Sequence, residues 1–394
     1  MEFLFVSDLS GNKNSGAAGS LITIGNNLEK QGHSVDYIWK KEKRLIKNLN
    51  YYRFFELPFS QYKQIKAALE LKEYDAVFIS QPHAWYAVKR LKSRYPEMIF
   101  INRSHGWELR IDPITWSLEP ISRLKKLFNK VTLFLLQHCS YLTVKHSDAI
   151  LCASTDDARF IRDAYPRHKS KIYTINYGLD DEYLNIPLKI TKPSKMRFLF
   201  VGQYIPRKGI KDLQFVFKAL ASRYSNFELT FIVNAESKSH VEADFGFIQP
   251  EARHVLPWMG REELIKLYQE NDVFLMPSYG EGFGKTTLEA MACGLCAIGY
   301  KDGALTDLGK HLENALLVKV GDREGLLDCM EYALVNPLKV KAMGLQAYKD
   351  VQKLTWQQTS TETASLVANL LQNRKGRIRS LKQSIEVSPS LSGL

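Results

Sequence analysis

The chain has 394 residues, 45% hydrophobic and 24% charged, and carries a net charge of +12. That length exceeds one ordinary hydrophobic core and calls for two domains of a water-soluble globular protein. The positive balance implies an acidic partner, which nucleic acid, anionic lipid or a sugar nucleotide could each supply. No apolar run approaches the length of a membrane span.

Phe3 to Ser7 reads as an apolar strand, followed without basic and apolar signal-peptide regions before it by a loop of small residues through Ser20. A helix over 21–31 and a strand over 35–39 complete a doubly wound opening, and the lack of G-x-G-x-x-G argues against a nicotinamide or flavin enzyme. Residues 40–50 read as an exposed basic loop or helix. Helices over 62–72 and 87–95 alternate with strands over 76–79 and 98–101. His83 follows the first of these strands, and Arg103, His105 and Glu108 follow the second, at the strand ends where open parallel sheets bind ligands.

Residues 122–137 place Arg123, Lys125, Lys126 and Lys130 among leucines, phenylalanines and valine, the pattern of a basic amphipathic helix. Two readings stay open: peripheral docking on an anionic membrane, or a core helix with a solvated basic face. A strand over 149–154 leads into a helix capped at Ser154. Residues 171–180 follow, and 181–195, with Pro187 and Pro193, reads as a linker.

The second half opens on a strand over 197–201, then Gly202, Gln203 and the Arg207-Lys208-Gly209 turn. A helix over 213–224, a strand over 228–233 and a strand–turn–helix over 255–264 follow. Val273 to Met276 is a short apolar run of the kind buried in parallel sheets. Gly280, Gly282 and Gly284 then form a loop into a helix from Thr286 to Cys293, so free N–H groups at the helix start point at an anion. Lys285, Thr286 and Thr287 add a cation and two hydroxyls at that end. Glu281 and Glu289 bracket it, and carboxylates accept hydrogen bonds from sugar hydroxyls. A phosphate cradle between two such acceptors suits a nucleotide sugar.

A further strand falls over 297–300, and a last helix over 355–373. Residues 374–394 read as a flexible basic tail. Five cysteines, at 139, 152, 293, 296 and 329, predict reduced thiols in a cytosol. The Cys293–Cys296 pair lacks the partners zinc needs and is expected to fill space, a redox role being the lesser alternative.

Pro277-Ser278, Glu281-Gly282-Phe283-Gly284 and Leu288 to Gly294 resemble the Glu-x7-Glu signature of glycosyltransferase family 4, the retaining nucleotide-sugar enzymes of the GT-B fold. The resemblance implies an α/β architecture of two Rossmann-like domains, 1–185 and 196–354, facing each other across a cleft. The helix 355–373 crosses back to complete the first. By the same likeness, Glu281 holds the transferred sugar, Glu289 the ribose, and His105 a sugar hydroxyl near the anomeric carbon. Lys208 binds the diphosphate, with Gly202, Arg207, Gly282, Phe283, Gly284, Thr286 and Thr287 also at the donor. Gly16 and Ala17 meet the donor through backbone, or else form a tight loop with no ligand. Trp258 and Met259 face the nucleobase. Two positions depart from the pattern. Gln203 replaces the usual arginine, a loss that Arg207 or Lys285 would have to make good. Lys285 replaces an aliphatic residue and either reaches the diphosphate or sits in solvent, the latter being preferred.

The expectation is a cytoplasmic, retaining, metal-independent enzyme without a cofactor, placed in the cytosol or at the inner face of the cytoplasmic membrane. It would move a hexose from a UDP- or GDP-sugar to a saccharide or lipid-linked acceptor, as in polysaccharide biosynthesis. An epimerase or hydrolase of sugar nucleotides, or a catalytically silent binder, is the alternative. Nucleic acid is not expected, because no stacking or groove-reading motif accompanies the charge.

Overall fold

The computed structural model describes residues 1–12, 16–40, 52–80, 84–188 and 195–386, the side chains of 377–386 excepted. The expected loop at 40–50, apart from residue 40, and His83 lie outside the described residues. In the first half β1 (Glu2–Val6), α1 (Gly16–Lys30), β2 (Ser34–Ile38), α2 (Leu57–Leu71), β3 (Ala76–Ser80), α3 (Trp85–Arg94) and β4 (Ile99–Ser104) come first. They are followed by α4 (Glu108–Ser117), α5 (Arg123–His146), β5 (Ala149–Cys152), α6 (Thr155–Ala164) and β6 (Ile172–Thr174). The second half holds β7 (Met196–Val201), α7 (Ile210–Ala221), β8 (Phe227–Val233), α8 (Lys238–Asp244), β9 (Arg253–Pro257), α9 (Arg261–Glu270) and β10 (Val273–Met276). It ends with α10 (Lys285–Ala292), β11 (Cys296–Tyr300), α11 (Ala304–Asp307), β12 (Ala315–Val318), α12 (Arg323–Val335), α13 (Pro337–Val351) and α14 (Trp356–Glu386).

Each half builds one parallel six-stranded sheet, in the orders β2-β1-β3-β4-β5-β6 and β12-β11-β10-β7-β8-β9. Strands such as β3, β5 and β10 are buried along their whole length, as parallel strands covered by helices on both faces must be. The helices supply apolar stripes at spacings of three and four: Ile210, Leu213, Val216, Phe217 and Leu220 of α7 are all buried. The strand order reverses between β1 and β3 in one sheet and between β7 and β10 in the other. Ligands bind at such reversals.

The two halves are stitched where the chain crosses between them. Leu179 donates to the Leu354 carbonyl at 2.8 Å and pairs in parallel with Thr355. Gly178 sits at this crossing because a Cβ there would collide with the backbone of Thr355 and Trp356. Trp356 Nε1 donates to Asp180 at 2.7 Å, and Ser360 Oγ donates to the Ile24 carbonyl of α1 at 3.2 Å. Thus α14 does return to the first domain.

Several expectations need correcting, the first being that α1 begins at Gly16, inside the loop expected through Ser20. The helix expected over 122–137 runs on to His146, because Leu136, Cys139, Leu142 and Val144 continue a buried face. Of the flexible tail expected over 374–394, residues up to Glu386 are helical as part of α14, and 387–394 lie outside the described residues. Its Arg374 is anchored by the Met98 carbonyl and the Asp148 carboxylate. The five cysteines are buried and free, and burial pushes the Cys296 thiol up to about 12 and that of Cys329 up to about 11.

Candidate active site

The loops after β7 and β10 meet at the strand-order reversal of the second sheet. After β7 the chain makes a 3-10 turn over Pro206–Lys208 and passes through Gly209 at φ 74°. A Cβ on Gly209 would strike the Pro277 carbonyl, so only glycine lets the two loops lie together. Lys208 Nζ then donates to Glu281 Oε1 at 2.6 Å, and Arg207 lies 3.6 Å from the same oxygen. Arg207 also donates to the Gly280 carbonyl. Burial would raise the Glu281 carboxyl, but Lys208 and Arg207 outweigh it and hold the group below its ordinary value. Glu281 is therefore an ionised carboxylate clasped by two cations.

The first domain approaches from the other side. A side chain on Gly282 would run into the backbone of His105 and Gly106, so the domains touch here through glycines. His105 Nδ1 is 2.7 Å from the Tyr177 hydroxyl, and Nε2 is 3.4 Å from Ser80 Oγ. Burial, then the nearby Arg103 cation, lowers the His105 pKa to about 3. The imidazole is neutral at any working pH. The pH profile of turnover should accordingly show no inflection near the ordinary histidine value of 6.5, and Tyr177→Phe should lower kcat without creating one. A rate titrating around that value, and vanishing in His105→Gln, would overturn this assignment.

Arg110 of α4 reaches across the cleft. Its Nε donates to Asp157 at 2.7 Å, its Nη1 to Asp302 at 2.7 Å and its Nη2 to the Glu281 carbonyl. Asp302 in turn accepts the Glu281 N–H at 2.5 Å. One guanidinium thus holds both a first-domain helix start and the backbone that carries Glu281. Further cross-domain bonds run from Gly303 N and Thr306 Oγ1 to Asp156.

Beside this cluster lies a cavity of about 1050 Å³ lined from both domains. It brings together Gly16, Trp258, Met259, Thr286 and Glu289 with Gln203 and Lys285. Trp258 is 49% exposed, a large ring left open to the cavity. Burial raises the Glu289 carboxyl, Lys285 only partly opposing it. Phe283 and Thr287 turn inward instead: Phe283 packs on the Tyr177 ring at 5.3 Å and Thr287 is buried. Gly284, at the α10 start, adopts φ 92°, open to glycine alone without strain. Gly202 is buried behind Lys208, and Ala17 is half-buried at the start of α1.

Lys285 does not point into open solvent, the preferred sequence reading. Its Nζ lies 3.5 Å from Asp180 and 5.3 Å over the Trp356 ring, because the turn after β6 and the crossing helix bring those two residues beside it. Sequence reasoning missed Arg110, and it saw Asp302 only at the ligand-facing end of a strand and Tyr177 and Asp180 only in the turn after β6. A polar residue flanking a buried strand end was the sole available signal for any of them.

Residues 187–350 match the family Glycosyl transferases group 1, and residues 14–183 match Glycosyltransferase Family 4. The D-inositol 3-phosphate glycosyltransferase of Rhodococcus erythropolis is 24% identical over 233 residues, 55% of this chain and 52% of that protein. The chain thus spans about half the length of the curated relatives it matches. Sucrose-phosphate synthase from Thermosynechococcus elongatus has the same fold, with a TM-score of 0.74 at 16% identity over 95% of this chain and 100% of that one. HepE of Anabaena, solved with UDP and glucose, gives a TM-score of 0.65 at 17% identity over 94% and 100% of the two chains.

Proposed function

This chain belongs to the glycosyltransferases, family 4 in its first half and group 1 in its second, and on that premise we propose a retaining, metal-independent hexosyl transfer. The donor is a UDP- or GDP-linked hexose and the acceptor a hydroxyl of a saccharide or lipid-linked glycan. The observation that carries this reading is the Lys208–Glu281–Arg207 cluster beside a two-domain cavity walled by Glu289 and Lys285. The UDP and glucose bound by HepE support the donor class.

In the reaction the bond between the anomeric carbon and the diphosphate oxygen breaks, and the acceptor oxygen bonds to that carbon on the same face. The acceptor proton passes to a phosphate oxygen. Lys208 has three N–H donors, so it can keep its bond to Glu281 while giving another to the departing diphosphate. The free N–H groups of Lys285 and Thr286 at the α10 start add positive potential. Charge placed in advance where it develops is the largest single contribution to such a step. Glu281 takes a sugar hydroxyl, Glu289 the ribose, and neutral His105 a hydroxyl near the reacting carbon. Gln203 and Lys285 line the same cavity, which supports Lys285 as the cation standing in for the arginine that Gln203 replaces.

Screening UDP- and GDP-sugars for thermal stabilisation, then following product anomers by NMR, tests the proposal. Transfer with retention, undiminished by EDTA, is the expected result. Inverted product overturns retention, and loss of turnover in EDTA with recovery on added magnesium overturns metal independence. Donor consumed without any acceptor points to a hydrolase or epimerase, and stabilisation without turnover to a silent binder.

A further inference from the structure

Among the described residues no helix is long and apolar enough to cross a membrane. Yet the first half of α5 leaves large apolar side chains bare. Leu124 is 80% exposed, Leu127 61%, Phe128 52%, Val131 53% and Phe134 69%. Their spacing of three and four residues gathers them on one side of the helix. Thr132 and Leu136, on a different side, are buried against the domain, and from Leu136 onward the helix packs normally. An exposed stripe of this kind marks an interaction surface.

Charge decides the occupant. No Asp or Glu occurs between Glu119 and Asp148, while Arg123, Lys125, Lys126 and Lys130 flank the stripe. All four are exposed, and the contact of Lys125 with Glu119 at 3.8 Å is solvated on both sides. A second copy placed face to face would set these cations against their own equivalents, because a two-fold interface is self-complementary. The chain's own segment 41–51 carries three lysines and an arginine against one glutamate, the same sign again. A bilayer with anionic headgroups offers both an apolar interior and opposite charge.

We infer that the α5 face formed by Leu124, Leu127, Phe128, Val131 and Phe134, with its flanking cations, docks the protein on an anionic phospholipid surface. The apolar side chains enter the acyl boundary, while the Lys and Arg stems reach up to the phosphates. Helix α4, whose Arg110 holds the Glu281 loop, leads directly into α5. Docking therefore sets the cleft beside the lipid surface, where a lipid-linked acceptor is presented. That choice of acceptor rests on the glycosyltransferase reading; the docking does not.

The test is flotation of the full chain with vesicles of phosphatidylcholine alone or with one third phosphatidylglycerol. The protein should float with the anionic vesicles and not the neutral ones, and high salt should release it. K125Q/K126Q should weaken binding roughly tenfold, and L127S/F134S by about a hundredfold. Circular dichroism should find both variants folded, since the altered positions are exposed. Equal capture by neutral vesicles, no capture at all, or unchanged binding by both variants overturns the proposal. So does a wild-type dimer that L127S/F134S turns into a monomer. Sugar-nucleotide stabilisation is measured in the same samples. If no sugar nucleotide stabilises any of the proteins while anionic vesicles still capture the wild type, the donor reading falls and the docking face stands.

Discussion

Neutralising either member of the buried pair, as Lys208→Met or Glu281→Gln, should cut transfer by about 10²–10³. The two are 12% and 10% exposed at 2.6 Å, so removing one leaves the other largely dry. Breaking such a pair costs about 3–5 kcal/mol of stability. K208M should fall at the low end, because Arg207 remains 3.6 Å from Glu281. The informative protein is E281Q/K208M. Removing both charges at once should recover most of the lost melting temperature while leaving kcat as low as in the single variants. That split separates a catalytic pair from a merely structural one. Restored turnover in the double variant would strip both residues of their proposed roles.

Arg110→Ala is the second large effect. Asp157 and Asp302 are 0% and 7% exposed, and Arg110 is their shared counter-charge. Its loss should destabilise the fold by about 3–5 kcal/mol and lower kcat, since the Glu281 carbonyl loses its donor. Acid should partly rescue stability. Burial, partly opposed by Arg110, already raises Asp302 from 3.8 to about 6, so the native protein holds a proton the unfolded chain lacks between those values. The contribution of Asp302 to stability is thus full below about 3.8 and lost as pH rises through about 6. In R110A that loss should move to higher pH, and in Asp302→Asn it should disappear. Melting curves across this range check both. A variant R110A as stable as wild type at neutral pH would show that the guanidinium does not hold the two domains.

The frame of the site was readable because its signals are local. Val273 to Met276 is apolar at every position, and three glycines then punctuate the chain before good helix formers resume. The same holds for Gly202 after β7. What escaped reading depends on distant partners. Arg110 lies 192 residues from Asp302, and no periodicity carries such a pairing. Its helix α4 was not read at all, because Pro113 lies inside it and Trp107 at its start provides no capping side chain. Burial of Leu109 and the ion pairs of Arg110 override that propensity. At α1 the small residues from Gly16 to Ser20 looked like a loop, yet Ala18, Gly19 and Ser20 are buried as helix surface. Residues 323–351 fold into α12 and α13 although no helix was assigned there. Tyr177 gains meaning from the His105 and Phe283 rings it meets, distant in sequence.

The joining of Leu179 to the Leu354–Thr355 backbone bears on how substrates enter. The chain's outbound and homeward passages lie side by side, so neither half can slide past the other without tearing that contact. What remains is a swing about one common pivot, with Gly178 and Trp356 at the pin. Such a swing would release the Arg110–Asp302 and Asp156–Gly303 bonds, while the pin stays whole.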